Sequence, residues 1–292
     1  MTKRRVGLVC DALSLVLLLA LCALVLATFG DYGLTLDEDT HRLYGDRMVA
    51  YIARGLSYDD TLYSLYPAGF DLLAAGYRQV SDLGPFDALH LVGGVVGIAG
   101  VVGVWSVGRA LFGPIGALIA ALLCVTTPSY YGDMFNNPKD LPFAVAYIWS
   151  LYVIVRLVQE LPRPGWRWWI GAGVAIGSAM SVRIAGLLLL VYLGVGLFAY
   201  VLHRGWHARS AEVAARLVQA LAVRFAVAAG LAWGVMLAVW PWAALEPLRR
   251  PLYALTQFSE YTAHSRPMPF AGRIIDSARS APLDYIPRAL GW

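Results

Sequence analysis

Residues Leu34–Met48 read LTLDEDTHRLYGDRM and lie just past the end of an apolar run, Gly7–Phe29. A run of this length can cross a bilayer, which takes about 20 apolar residues. Asp37, Glu38 and Asp39 therefore stand at the rim of a membrane span, where ionisable side chains often handle protons or cations. A solvated acidic loop that caps the following helix is the alternative interpretation.

The composition identifies an integral membrane protein. Of the 292 residues, 59% are hydrophobic and 14% are charged, whereas soluble domains have about 45–50% apolar and 25% charged residues. The net charge of +4 is spread over loops between apolar runs, where basic residues set topology. We therefore expect no nucleic-acid partner.

Cys10, Cys22 and Cys124 lie inside apolar runs without metal-ligand spacing, which argues against disulfides.

Seven apolar runs predict an all-α protein with about seven transmembrane helices. The first is longer than the 7–15 residue apolar core of a signal peptide and has no small-x-small cleavage site, so we interpret it as an uncleaved span that starts in the cytoplasm. The short predicted outer loops then carry few basic residues, notably Lys139 and Arg183, in agreement with the positive-inside rule. The predicted cytoplasmic loops carry Arg109, Arg156, Arg163, Arg167, Arg204, Arg209, Arg216 and Arg224. The predicted spans are Gly7–Phe29, Phe86–Val107, Pro114–Tyr130, Pro142–Leu157, Trp168–Ser181, Ile184–Leu202 and Phe225–Trp242.

Residues 30–85 form the longest polar stretch and contain two apolar repeats with helical spacing. We expect two amphipathic helices that lie on the outer membrane face and flank the acidic cluster, the first ending near Gly55. The repeats are Tyr44, Met48, Tyr51 and Ile52, then Phe70, Leu73, Ala74 and Tyr77. Residues 1–242 are thus predicted to be a membrane domain, and 243–292 the outer-side start of a truncated loop or domain.

A second polar loop, Asp133–Asp140, reads DMFNNPKD between the third and fourth predicted spans. The compact ammonium of Lys139, beside the amide of Asn137, suits an anion such as phosphate. Asp140 could orient a hydroxyl or a metal ion. An Asn-Pro turn that caps the next helix is the plainer alternative.

Two further residues carry candidate chemistry. Arg183 separates two apolar runs, where a lone arginine needs a partner; a phosphate would explain it as well as a salt bridge to Asp37 or Asp140. His41 could bind a metal with Asp37 or Glu38, but one histidine beside carboxylates is a small ligand set, and a polar loop histidine is the alternative.

These features, taken in order, resemble a known family. A first span leads into Asp37-Glu38, two outer amphipathic helices follow, an Asn-Pro-Lys-Asp loop opens the fourth span, and Arg183 separates two short spans. The arrangement resembles the membrane half of GT-C glycosyltransferases. It is most similar to the polyprenyl- or dolichyl-phosphate-sugar transferases, namely the protein O-mannosyltransferases and lipid A aminoarabinose transferases. The most specific segments are LTLDEDTH and FNNPKD.

The resemblance implies an inverting enzyme that moves a sugar from a polyprenyl phosphate to an acceptor hydroxyl. In such enzymes the acidic pair after the first span carries the base, so Asp37 would be the base and Glu38 would position the substrate. A functional acidic residue of the second outer loop maps to Asp140, with Asp133 as the competitor. By their chemistry, Lys139 and Arg183 would bind the lipid phosphate.

The expected setting is a bacterial inner membrane, with the site facing the periplasm or exterior. The expected partners are the lipid-linked sugar and the bilayer, and the acceptor stays unidentified. The sequence identifies no particular cofactor and leaves a divalent metal open. Family members usually continue beyond the seventh span, so a fragment, a truncated reading frame and a shortened member would each explain this chain.

A transporter or lipid-handling protein that binds protons or cations at the acidic cluster is the main alternative. Transporters favour charges near mid-span and repeated halves, whereas these charges gather at one rim and no repeat is evident. A purely structural membrane partner is the third interpretation. Convergence of Asp37, Asp140 and Arg183 on one outward-facing cavity would favour the transferase.

Overall fold

Apolar helices form most of the computed structural model, which describes residues 3–35, 37–54, 62–208, 211–259 and 267–276. A short antiparallel β-hairpin follows the last helix. The elements are α1 Lys3–Thr28, α2 Glu38–Arg54, α3 Gly69–Arg78, α4 Pro85–Val125, α5 Pro128–Asn136, α6 Asp140–Gln159, α7 Trp166–Met180, α8 Leu188–Ala208, α9 Ala211–Ala238, α10 Pro241–Leu245, α11 Arg249–Ser259, β1 Pro267–Phe270 and β2 Arg273–Asp276.

The predicted all-α membrane architecture is confirmed. Among the described residues, five helical segments are long and apolar enough to cross a membrane, and they lie in α1, α4, α6, α8 and α9. The predicted number of seven is not established. The fifth predicted span corresponds to α7, whose 15 residues reach only about 22 Å, less than the roughly 30 Å of a hydrocarbon core.

Helix α4 contains a reversal of the chain at Gly113. A Cβ atom on Gly108 would lie 3.1 Å from the Cα of Ala117, although nine residues of straight helix span about 13 Å. Gly113 has a φ of +74°, which glycine adopts without a Cβ clash, and Pro114 then starts the returning arm, where proline is favoured. The two arms of α4 are therefore antiparallel. The first arm contains the second predicted span, and the third predicted span starts with the second arm.

The third predicted span, Pro114–Tyr130, is wrong at its carboxyl end. The returning arm of α4 ends at Val125, and α5 begins at Pro128. The break occurs because Pro128 has no backbone N–H to continue the helical ladder.

The alternating helices give the bundle two chemically different ends. The acidic end is formed by residues 29–35, 37–38 and 136–140. The arginine end is formed by the Gly113 turn and residues 160–165. Near Gly113, the Arg109 guanidinium lies 3.0 Å from the Asp11 carboxylate of α1. The arginine end also carries basic residues of α1, α6, α7, α8, α9 and the 160–165 loop, namely Arg4, Arg5, Arg156, Arg163, Arg167, Arg204, Arg216 and Arg224.

Helices α2 and α3 occur where two amphipathic helices were predicted, but their apolar faces are only partly buried. Tyr44 and Met48 of α2 are buried, as are Phe70 and Ala74 of α3, whereas Leu73 is 55% exposed. Ile52 is exposed as well. The two helices approach closely, because a Cβ on Gly45 would lie 2.5 Å from the carbonyl oxygen of Asp71. Their placement on the membrane surface stays a prediction, and Gly55 lies outside the described residues.

The segment after α9 packs back onto the bundle. Trp240, Trp242 and Ala254 are buried in the main apolar core with α7 and α9. The Trp240 indole donates a hydrogen bond to the Ser64 carbonyl at 2.7 Å. This contact ties the chain between α2 and α3 to the acidic end, while the domain boundary at residue 242 stays a prediction.

Glycines on α4 permit the close approach of α5, which delivers the 136–140 loop. A Cβ on Gly93 would lie 2.3 Å from the Met134 carbonyl oxygen, and a backbone atom cannot turn aside as a side chain can. We expect Gly93→Ala to destabilise the protein by about 1–3 kcal/mol through overpacking. Thermal unfolding in detergent measures the change.

The matched control is Gly132→Ala on the facing helix α5. A Cβ there meets nothing within 4 Å, and alanine is favoured over glycine inside a helix by about 0.5–1 kcal/mol. Equal stability of the two variants would contradict the proposed packing role of Gly93.

Candidate active site

Asp37 stands at the start of α2 with its side chain exposed. Its backbone carbonyl accepts a hydrogen bond from the His41 N–H at 3.0 Å, so the turn that follows it is helical. Within the part of the chain that the structure describes, the Asp37 carboxylate has no hydrogen-bond or ion-pair partner. It is therefore open to a ligand.

Glu38, by contrast, is completely buried beside a buried histidine of α4. Its Oε1 lies 3.1 Å from Nε2 of His90, and its Oε2 accepts a 2.7 Å hydrogen bond from the Thr35 N–H. Nδ1 of His90 lies 3.2 Å from the carbonyl oxygen of Phe29. A carbonyl only accepts, so Nδ1 carries a proton, and one further proton is shared between Nε2 and Glu38. This Glu38–His90 pair fixes the loop between α1 and α2.

The two polar loops of the sequence meet at the acidic end. The Thr35 hydroxyl donates a 3.0 Å hydrogen bond to the carbonyl of Asn136. One residue later, the Asn137 side-chain oxygen accepts from the backbone N–H groups of Lys139 at 3.3 Å and Asp140 at 2.8 Å. Asn137 thus forms an Asx turn that leads into α6, as asparagine side chains commonly do.

Arg183 forms an ion pair with Asp140. The sequence left Asp37, Asp140 and a phosphate open as its partners. The pair is partly solvated, with Asp140 56% exposed and Arg183 33% exposed, so it contributes little to stability. Nε of Arg183 is buried without a hydrogen-bond partner among the described residues. The guanidinium therefore keeps donor capacity for an anion.

Lys139 lies on the other side of the same loop. Its ammonium is 5.4 Å from the centre of the Tyr66 ring, within the range of a cation–π interaction. Its charge also acts on Asp71 of α3, where it opposes the rise in the pKa of that carboxyl that burial causes. Lys139 makes no ion pair within the described ranges.

Asp71 is a buried carboxyl that the sequence analysis did not select. Its Oδ1 lies 2.8 Å from Nδ1 of His41, and only 6% of its side chain is exposed. Burial raises the pKa of Asp71, while the hydrogen bond and the charge of His41 oppose this effect. The sequence feature that could have selected Asp71 is its position next to Phe70, in the apolar repeat of α3. His90 could have been selected in the same way, because it is an isolated polar residue in an apolar span.

The remaining candidates are resolved as follows. The Asp133 carboxyl of α5 has its pKa raised by burial, against a hydrogen bond from Asn137. His41 binds Asp71 rather than Asp37 or Glu38, and the described residues contain no group of three or more metal-ligating side chains.

The acidic end presents an unpaired carboxylate, a lysine and an arginine at the rim of a helical membrane bundle. A family model described as dolichyl-phosphate-mannose-protein mannosyltransferase matches residues 73–233, which is more than half of the chain. The protein is thus a membrane glycosyltransferase with a lipid-linked sugar donor, and it belongs to this mannosyltransferase family. No curated protein and no solved structure matched. The match includes Lys139, Asp140 and Arg183 and begins after Asp37.

The raised pKa of Asp71 predicts a pH dependence of stability. Folding favours the protonated carboxyl, so its contribution is complete below the ordinary pKa of about 4 and is lost as pH rises through the higher folded value. Wild type should therefore lose stability relative to Asp71→Asn as pH rises from about 4. Melting temperatures of both proteins across this window measure the difference. A difference that stays constant or grows in favour of wild type would refute the assignment.

Proposed function

We propose that the protein transfers a sugar from a polyprenyl-phosphate donor to an acceptor hydroxyl, with inversion at the anomeric carbon and Asp37 as the general base. The exposed Asp37 carboxylate carries this proposal, because it lies at the same end of the bundle as Lys139 and as Arg183, which pairs with Asp140. The Thr35–Asn136 hydrogen bond joins the two loops, so base and cations belong to one end of the bundle.

The chemical step needs a base, an in-line attack and a stabilised leaving group. Asp37 removes the acceptor proton as the acceptor oxygen bonds to the anomeric carbon and the bond to the phosphate oxygen breaks. The departing phosphate gains negative charge. Lys139 and Arg183 stabilise it as fixed cations, which is an efficient form of transition-state stabilisation.

Glu38 and Asn137 act indirectly in this scheme. The Glu38–His90 pair holds the loop that carries Asp37, and Asn137 holds the start of α6, which carries Asp140. Asp140 in turn orients the Arg183 guanidinium through their ion pair. We therefore propose positioning roles for these three residues.

The charge distribution supports an outward-facing site. Among the described residues, the helix ends and short loops at the arginine end hold more basic residues than the short loops at the acidic end, where Lys139 and Arg183 lie. Short loops that hold an excess of arginine and lysine remain in the cytoplasm. The acidic end then faces the periplasm or exterior of a bacterial inner membrane. The acceptor is a hydroxyl of a protein, lipid or glycan presented on that face.

Replacing the base should abolish transfer without removing the fold. We expect Asp37→Asn to lower the rate by about 10²–10⁴-fold, the usual contribution of a general base. The assay follows radiolabelled sugar leaving a polyprenyl phosphate in proteoliposomes. Asp39→Asn is the matched control, since Asp39 is exposed and pairs with Arg42. Wild-type transfer by Asp37→Asn would remove Asp37 from the mechanism.

Removing a phosphate-binding cation should weaken donor use. We expect Lys139→Ala and Arg183→Ala each to lower kcat/KM for the donor by about tenfold to a hundredfold, because charge-assisted hydrogen bonds contribute roughly 1.5–3 kcal/mol. Titration of the labelled donor measures this parameter. The exposed Arg47 of α2 provides the control, and an equal effect of Arg47→Ala would indicate non-specific charge attraction.

A further inference from the structure

The His41–Asp71 pair has no role in the mechanism above. Nδ1 of His41 and Oδ1 of Asp71 are 2.8 Å apart, and the carboxylate is almost fully buried. A buried carboxylate that binds one nitrogen of an imidazole fixes the ring and its tautomer. Here it places the N–H on Nδ1 and leaves Nε2 as a proton acceptor.

The second nitrogen of His41 is available for chemistry. The imidazole keeps 14% of its side-chain surface exposed. The hydrogen bond to Asp71 is the one the ring makes among the described residues, and it uses Nδ1. Nε2 is therefore unpartnered within that part of the chain.

His41 also lies one helical turn from the proposed base. Its backbone N–H donates to the Asp37 carbonyl at 3.0 Å, and residues four apart in a helix have Cβ atoms about 5–6 Å apart. Asp37 and His41 thus share the first turn of α2, with the exposed carboxylate at its start.

Other contacts also hold α2 against α3 and against the segment that precedes it. The Tyr44 hydroxyl donates a 2.8 Å hydrogen bond to the Tyr66 carbonyl, and Gly45 lets the two backbones approach. Arg78 of α3 also forms an ion pair with Asp46 of α2. Burying the Asp71 carboxylate is a costly way to add one more contact, which favours a chemical role for the pair.

We propose that His41 relays the proton of the transfer reaction away from Asp37, with Asp71 holding the imidazole in place. This inference rests on the proposed function. Asp37 accepts the proton of the acceptor hydroxyl as the new glycosidic bond forms and the phosphate leaves. The proton then passes to Nε2 of His41, the imidazolium is stabilised by Asp71, and release to water restores both groups.

The surrounding charges define the pH dependence of the relay. The imidazole faces the Asp71 carboxyl of α3. The Lys139 ammonium, which precedes α6, also acts electrostatically on that carboxyl. Along the chain, Asp37 lies one helical turn before His41, and Arg42 directly follows it. On the α4 side, His90 is already paired with Glu38. The relay accepts a proton only when its imidazole is neutral, so transfer should fall on the acid side as the imidazole becomes protonated.

The test measures donor transfer against pH for wild type, His41→Gln, Asp71→Asn and the double variant. We expect His41→Gln to lower kcat by about 10²-fold, to change KM by less than about twofold, and to lose the acid-side decline. Asp71→Asn should lower kcat too, and the double variant should be no slower than His41→Gln, because residues acting as a unit are non-additive. His203→Gln, at the arginine end, is the control.

A second variant separates the relay from a packing role. Added imidazole should restore transfer by His41→Ala, because it replaces the missing proton acceptor. Wild-type kcat and pH profile in His41→Gln, with Asp37→Asn inactive, would overturn the relay and leave the proposed function standing. Loss of kcat with an unchanged pH profile and no imidazole rescue would also overturn it. Transfer by Asp37→Asn at the wild-type rate would instead overturn the proposed function itself, and the relay with it.

Discussion

The buried contact between Glu38 and His90 is the constraint on which the acidic end depends. Burying ionisable groups costs free energy unless every polar atom is paired. Here both carboxylate oxygens and both ring nitrogens have partners, supplied by the Thr35 N–H and the Phe29 carbonyl as well as by each other. These partners come from the end of α1, the following loop, α2 and α4. The position of Asp37 follows directly, since it is the residue before Glu38.

Close helix packing supplies the second constraint. The reversal at Gly113 returns α4 toward the acidic end, and the glycines of α4 admit Met134 of α5. The 136–140 loop consequently meets the loop that carries Asp37. Arg183, at the break between α7 and α8, reaches Asp140 from another side. The site is assembled from segments that are far apart in the chain.

The two kinds of charged side chain at this end are treated differently. Glu38 and Asp71 are buried and paired with histidines, so they fix geometry. Asp37, Lys139 and part of Arg183 remain available at the surface, where they add little to stability. Uncompensated charges of this kind are typical of functional sites, at which a protein gives up some stability for chemistry.

The sequence by itself determined the membrane class, the helical fold, the two helices after the first span and the family, because apolar runs and short motifs are local patterns. It also selected Asp37, Lys139, Asp140 and Arg183 as chemically suitable residues. Only the tertiary structure decided that Arg183 pairs with Asp140 and that Glu38 pairs with His90, since these partners are tens of residues apart. The chain reversal at Gly113 and the burial of Asp71 likewise depend on which helices pack together. Local patterns cannot specify such contacts, because the free energy of burial is set by neighbours that only the folded chain brings near.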